Sequence, residues 1–180
     1  ARIFSVWTAS ELAAIGIIKV TFDDSKKKDE KYYINTDQTY TYDADAGTVT
    51  ATYGNATAKA HADTLFTAQD ETDGLGTEGE VKVEGLKTKL IRIVKAQAAG
   101  ILQDTDWYIL RKADADTDVP SAITTFRAAV RTKAAAMETL ITNASNTAAI
   151  ETLYTYVNTA DEGDPVVMER PLGEFPELGS

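Results

Sequence analysis

Gly74-Leu75-Gly76-Thr77-Glu78-Gly79 matches, letter for letter, the glycine fingerprint that holds a dinucleotide pyrophosphate at a helix N-terminus. That motif works only after a strand, and here Asp70, Glu71 and Asp73 lie just ahead of it and would repel a phosphate. The segment therefore reads as a flexible linker. Taken as a calcium loop, it puts Glu71, Asp73, Gly74 and Glu80 at the third, fifth, sixth and twelfth positions, but Gln69 spoils the first. A second carboxylate cluster, Asp114-Ala115-Asp116-Thr117-Asp118, has Val119 in place of the loop glycine and Thr125 in place of the terminal glutamate. His61 is the only histidine and there is no cysteine, so histidine-rich zinc sites, thiolate chemistry and disulfides are excluded. No nucleophile elbow, no phosphate loop with lysine and no constrained acid pair is present. The expectation is a protein that is not an enzyme and carries no catalytic residue, metal or cofactor.

The elements that would position any site begin with composition. The chain has 180 residues, 43% of them hydrophobic, 26% charged and 8% aromatic, which is a globular composition with a modest core. A formal charge of −10 argues against binding a phosphate backbone, so nucleic acid is not an expected partner. Residues 61–80 hold six acids and no Lys or Arg, and residues 161–180 hold six acids against Arg170 alone. Such runs read as a solvated linker and an extended acidic tail. The opening Ala1-Arg2-Ile3-Phe4-Ser5-Val6-Trp7 lacks the apolar stretch of a signal peptide, and no run of about 18 apolar residues appears, so no membrane segment is expected.

Thr8-Ala9-Ser10-Glu11 has the capping-box form and predicts a short helix over 9–15, ended by Gly16. Ile17-Ile18-Lys19-Val20-Thr21-Phe22 predicts a strand and the lysine-rich stretch after it an exposed loop. Two Thr-rich runs bracketing Asp43-Ala44-Asp45-Ala46-Gly47 predict a β-hairpin, with Tyr32-Tyr33-Ile34 as a further strand. A short helix is expected within 56–69 around Ala60, Leu65 and Phe66. Apolar residues at Leu86, Leu90, Ile93, Val94, Ala98 and Ile101 mark an amphipathic helix. After Val119-Pro120-Ser121, the stripe Ile123, Phe126, Val130, Ala134, Met137, Ile141 and Ala144 predicts a helix over 121–143. Ser145 or Asn146 would cap another helix through Ile150, Leu153, Tyr154 and Val157.

The organisation expected is an α+β fold: an N-terminal antiparallel β unit with one short helix over 1–55, a short helix and acidic Gly-bearing linker over 56–79, an antiparallel three- or four-helix domain over 80–160, and an extended acidic tail over 161–180. The stripe at Phe126, Val130, Met137 and Ile141 is most simply a face packed on the 86–101 helix, and alternatively a contact with a symmetry mate or another protein. Trp7, Tyr32, Tyr33, Trp107 and Tyr108 are the aromatic candidates for an interface, each with a core or hairpin role as the commoner case.

Ile101-Leu102-Gln103-Asp104-Thr105-Asp106-Trp107-Tyr108, followed after a polar loop by Thr125-Phe126-Arg127-Ala128-Ala129-Val130-Arg131, resembles a pattern of tailed-bacteriophage tail-associated and tail-fibre-assembly proteins. Those proteins carry Leu-x-x-Thr-Asp-Trp and then an aromatic-Arg-x-Ala-Leu/Val-Arg helix. The opening Glu11-Leu12-Ala13-Ala14-Ile15-Gly16-Ile17 is similar to N-termini of the same group. This chain departs from the pattern by inserting residues 114–118 and by having Phe175-Pro176 where a Trp-Pro ending is usual.

The resemblance implies a non-enzymatic structural subunit of the virion tail, a fibre adaptor or baseplate-associated protein, made in the host bacterial cytoplasm. Its partners would be other phage structural proteins, and it would be present as a homo-oligomer or in symmetric copies. A tail-fibre assembly chaperone that leaves the particle, and a capsid decoration or neck protein, are the alternatives it leaves open. Physically, Asp104 or Thr105 would cap a helix, Trp107 would close the core, and Arg127 and Arg131 would share one exposed helix face. If the stripe is core, Phe126→Ala should destabilise by about 3–5 kcal/mol.

Overall fold

A computed structural model describes residues 6–179. Ala1-Arg2-Ile3-Phe4-Ser5, part of the stretch read above against a signal peptide, lie outside the described residues. The chain divides into two compact units, Ala1–Lys59 and Ala60–Ser180. The α+β class is as expected: a small sheet with a short helix first, then several helices.

In the first unit, α1 (Ala9–Ala13) starts at the foreseen capping box: Glu11 N–H donates to Thr8 Oγ1 at 3.2 Å and Thr8 N–H to the Glu11 carboxylate at 2.8 Å. The helix is two residues shorter than expected, and the chain turns through Gly16 at φ +79°. Of the expected strand only its end forms, as β1 (Val20–Asp23). β2 (Tyr33–Ile34) pairs antiparallel with β5 (Thr57–Ala58), apart from the main sheet. The expected hairpin is β3 (Thr39–Asp43) and β4 (Thr48–Thr52), closed by Asp43 Oδ1 accepting from the N–H groups of Asp45 and Ala46, each at 3.0 Å.

The main sheet has the order β1-β4-β3 and is mixed rather than wholly antiparallel, because β1 runs parallel to β4. A long connection separates β1 from β4, and the hairpin reverses the chain within it, so β4 arrives beside β1 in the same direction. The register places Val20, Phe22, Tyr40, Tyr42, Val49 and Ala51 on one face, and Thr21, Thr39, Thr41, Thr48, Thr50 and Thr52 on the other. The lysine-rich loop is not purely solvated. Lys28 lies 4.5 Å from the ring centre of buried Tyr33, and Lys31 lies 5.0 Å from that of buried Tyr32.

The second unit begins with a ladder of β6 (Thr64–Leu65) and β7 (Val81–Val83), joined by α2 (Ala68–Thr72). The expected helix within 56–69 is instead β5, β6 and the start of α2, a result in line with the Thr residues at 57 and 64. The stretch 70–79 does not act as a free linker. Thr67 and Asp70 form a capping box, and Lys82 Nζ reaches the Asp70 carboxylate at 2.5 Å. Asp63 accepts from Gly85 N–H and from the Thr88 hydroxyl, both at 2.7 Å, at the start of the first long helix. A Cβ on Gly85 would collide with the Ala62 carbonyl, so this close crossing requires glycine.

That helix, α3 (Leu86–Gln103), packs chiefly on α5 (Ser121–Asn143), whose bounds are those the sequence predicts. They run antiparallel: Lys87 Nζ donates to the Thr142 carbonyl at 2.7 Å near one end, and Lys95 pairs with Glu138 at 3.3 Å farther along. Leu90, Val94 and Ala98 bury against a row of Val130, Ala134, Met137 and Ile141. Asn146 caps α6 (Thr147–Tyr154), accepting from Ala149 N–H at 2.9 Å, and the helix ends before Val157. Val157 belongs instead to β8 (Val157–Asn158), paired with β9 (Met168–Glu169). The helix for which Asp104 or Thr105 was the expected cap, with no bounds foreseen, is α4 (Asp106–Ala115), between α3 and α5.

The acidic tail is extended, as expected, but it is docked. Leu172 is buried and its N–H donates to the Leu153 carbonyl at 3.0 Å. Arg170 lies 5.7 and 5.3 Å from the Tyr154 and Tyr156 ring centres and bonds Glu174 at 2.7 Å.

Phe126 is only half-buried, which corrects the estimate made from the stripe. Ile141→Ala should cost about 2–5 kcal/mol in urea unfolding, and Phe126→Ala clearly less than Ile141→Ala. The hydrogen bond from Lys82 first, then the Thr67 N–H, holds the Asp70 carboxyl down to about 2. Because the folded value lies below the unfolded one of about 3.9, this contribution is complete above that pH and is lost as pH falls through about 2. A carboxyl NMR titration of Asp70 should give that low midpoint, and Lys82→Met should raise it.

Candidate functional site

The residues that carry the resemblance meet at the junction of α3, α4 and α5. Arg127, 7% exposed, directs Nη1 to the Leu102 carbonyl at 2.8 Å, to Thr105 Oγ1 at 2.6 Å and to Asp106 Oδ1 at 2.9 Å. The Thr105 hydroxyl in turn donates to the Leu102 carbonyl at 2.9 Å. The Leu102 carbonyl, in the last turn of α3, also accepts from the Thr105 N–H at 3.0 Å, and a cation is favoured beside the carbonyl end of a helix. Two expectations are corrected by this geometry. Arg127 does not share an exposed face with Arg131: Arg131 is exposed, while Arg127 is drawn inward by three acceptors. Thr105 stands at the N-cap position of α4 but makes no capping bond, because its side chain is committed to Leu102 and Arg127.

Anchored there, α4 has no buried residue. Trp107 is 60% and Leu110 67% exposed, and their spacing of three places them on one face. Trp107 therefore does not close the core. The Arg111 guanidinium lies 5.4 Å from the Trp107 ring centre and 5.7 Å from that of half-buried Tyr108, bracing both rings. At the far end Lys112 Nζ binds Asp116 at 2.8 Å and Asp118 at 2.9 Å. Those carboxylates, Asp116 first, raise the Lys112 pKa, and Lys112 holds that of Asp118 below the usual range. The cluster at 114–118 thus serves to tie down the end of α4.

The other candidates separate. Val130, Met137 and Ile141 are buried in the α3–α5 seam and form packing rather than surface. Trp7 is half-buried in the first unit, just ahead of α1. Phe126 lines a groove of about 720 Å³ between the α3 end and the docked tail, with Ile101, Thr105, Arg170, Phe175 and Pro176. Sequence reasoning missed this groove because its second wall comes from a segment read as solvated.

The glycine fingerprint sits after α2 rather than between a strand and a helix. Gly76 faces Phe66, whose ring would lie 2.6 Å from an added Cβ. Among the described residues, no group of three or more His, Cys, Asp or Glu is placed to hold a metal ion, and no helix is long and apolar enough to cross a membrane. No family model, curated protein or solved structure matches this chain.

Replacing Arg127 by Met would remove the charged donor from the Thr105 hydroxyl oxygen and from the Leu102 carbonyl, which keeps the Thr105 N–H and hydroxyl, at a cost of about 1–3 kcal/mol. Hydrogen exchange should then show amides of α4 opening while those of α3 and α5 stay protected. Asp106→Asn, at a half-exposed position, should move stability by no more than about 1 kcal/mol.

Proposed function

We propose that this chain is a non-enzymatic structural component of a bacteriophage virion, a tail protein of the fibre-adaptor or baseplate-associated kind that works through protein–protein contacts. The observation that carries the contact reading is α4, a helix tied at both ends that offers Trp107 and Leu110 to a partner. Exposed aromatic residues held rigid lose little entropy on binding and supply much of the energy of protein interfaces. The tail placement rests on the resemblance, and its residues Leu102, Thr105, Asp106 and Arg127 are the ones that anchor α4. In this proposal the shared pattern serves to present the tryptophan, and the partner is another phage structural protein.

Trp107→Ala should change unfolding free energy by no more than about 0.5 kcal/mol, since the ring is mostly exposed. In purified particles, counted by quantitative mass spectrometry against the major tail subunit, the same variant should fall at least about tenfold in copy number. Incorporation of the variant at the wild-type level would remove α4 as the contact, and absence of the wild-type chain from particles would overturn the virion role.

A further inference from the structure

The outer edge of β3 is unprotected. β3 ends the order β1-β4-β3, so among the described residues one side of its backbone has no strand beside it. All five of its residues, Thr39-Tyr40-Thr41-Tyr42-Asp43, are exposed. Natural edge strands are guarded by lysine, proline, a bulge or shortness, because a bare edge is a template for another strand. β3 contains neither lysine nor proline, and it pairs with β4 over five consecutive positions without a register shift. The other edge, β1, is shorter, ends on Asp23 and is flanked by Lys19 and Asp24.

The sequence of the edge also selects its occupant. An antiparallel pairing of β3 with itself, centred on Thr41, opposes Tyr40 to Tyr42, Thr39 to Asp43 and Thr41 to Thr41 of a second copy. Directly opposed residues project to the same face, so the aromatic face carrying Phe22, Tyr40 and Tyr42 continues across the two-fold axis, as does the threonine face. Two tyrosine pairs form, and no like charges oppose one another. A shift of one residue would set each tyrosine opposite a threonine and break both faces.

We infer that β3 is a self-pairing edge through which two copies of this chain join their three-stranded sheets into one of six strands. The inference is independent of the virion role, since it is read on the isolated chain. Five residues a side bury less than the roughly 1,000 Å² of a lasting interface, so the association is weak and needs high concentration.

Sedimentation equilibrium of the full chain, from about 10 μM to 1 mM, should show a monomer–dimer equilibrium. Thr41→Lys places two ammonium groups opposite each other at the axis and should weaken it by at least about tenfold, as should Thr41→Glu. An equimolar mixture of the two variants should recover association. Thr21→Lys, on the same threonine face but on β1, should leave it unchanged. A wild-type chain that stays monomeric throughout, an equal effect of Thr21→Lys, or a mixture that fails to recover would each overturn the proposal.

Discussion

A guanidinium removed from water, that of Arg127, is the constraint on which the arrangement of residues 60–180 turns. Burying a charge costs several kcal/mol unless fixed acceptors surround it, and here the acceptors come from the end of α3, the α3–α4 junction and the first residue of α4. These cannot shift separately without stranding the charge. The α3–α5 seam supplies apolar burial, but such a seam tolerates sliding by a turn. The arginine removes that freedom and sets where α4 leaves the pair. Its Nε is buried without a hydrogen-bond partner among the described residues, so the contact is better suited to fixing one geometry than to maximising stability.

The long helices were legible because each presents one stripe to one partner. Leu90, Val94 and Ala98 face Val130, Met137 and Ile141, and a period of three to four residues records that arrangement directly. The hairpin was legible for a similar reason, since Thr alternates with Tyr or Val and a glycine at φ +63° ends the turn. Of α4 only a start near Asp104 or Thr105 was legible and its extent was not, because a helix with no buried residue has no stripe to reveal it. Its aromatic residue then reads as core, although the surface is where the structure places it.

Residues 60–85 were misread for a different reason. Their acids suggested solvent, yet Asp63 and Asp70 each accept a backbone N–H and a second, longer-range donor: the Thr88 hydroxyl for one and the Lys82 ammonium for the other. Composition counts charges but not the donors that the fold brings to them. The same limit applied to Arg127, whose spacing from Arg131 placed both on one face while the acceptors lay more than twenty residues earlier in the chain. Of the candidate site, the identities of Trp107, Arg127 and Phe126 were visible in the sequence, and their surroundings were not.

The parallel pairing of β1 with β4 has a mechanical side. Val20 and Thr52 lie at opposite ends of the two paired strands, since Val20 is level with Val49 and Thr52 with Asp23. Tension passed along the chain enters β1 before Val20 and leaves β4 after Thr52, pulling the two strands lengthwise in opposite directions. The hydrogen bonds between them then bear the load together, in shear, instead of opening one after another as in a peeled hairpin. Within the first unit this pairing acts as a tensile clamp, and β3 with the turn that joins it to β4, lying between the loaded ends, stays outside the direct line of force.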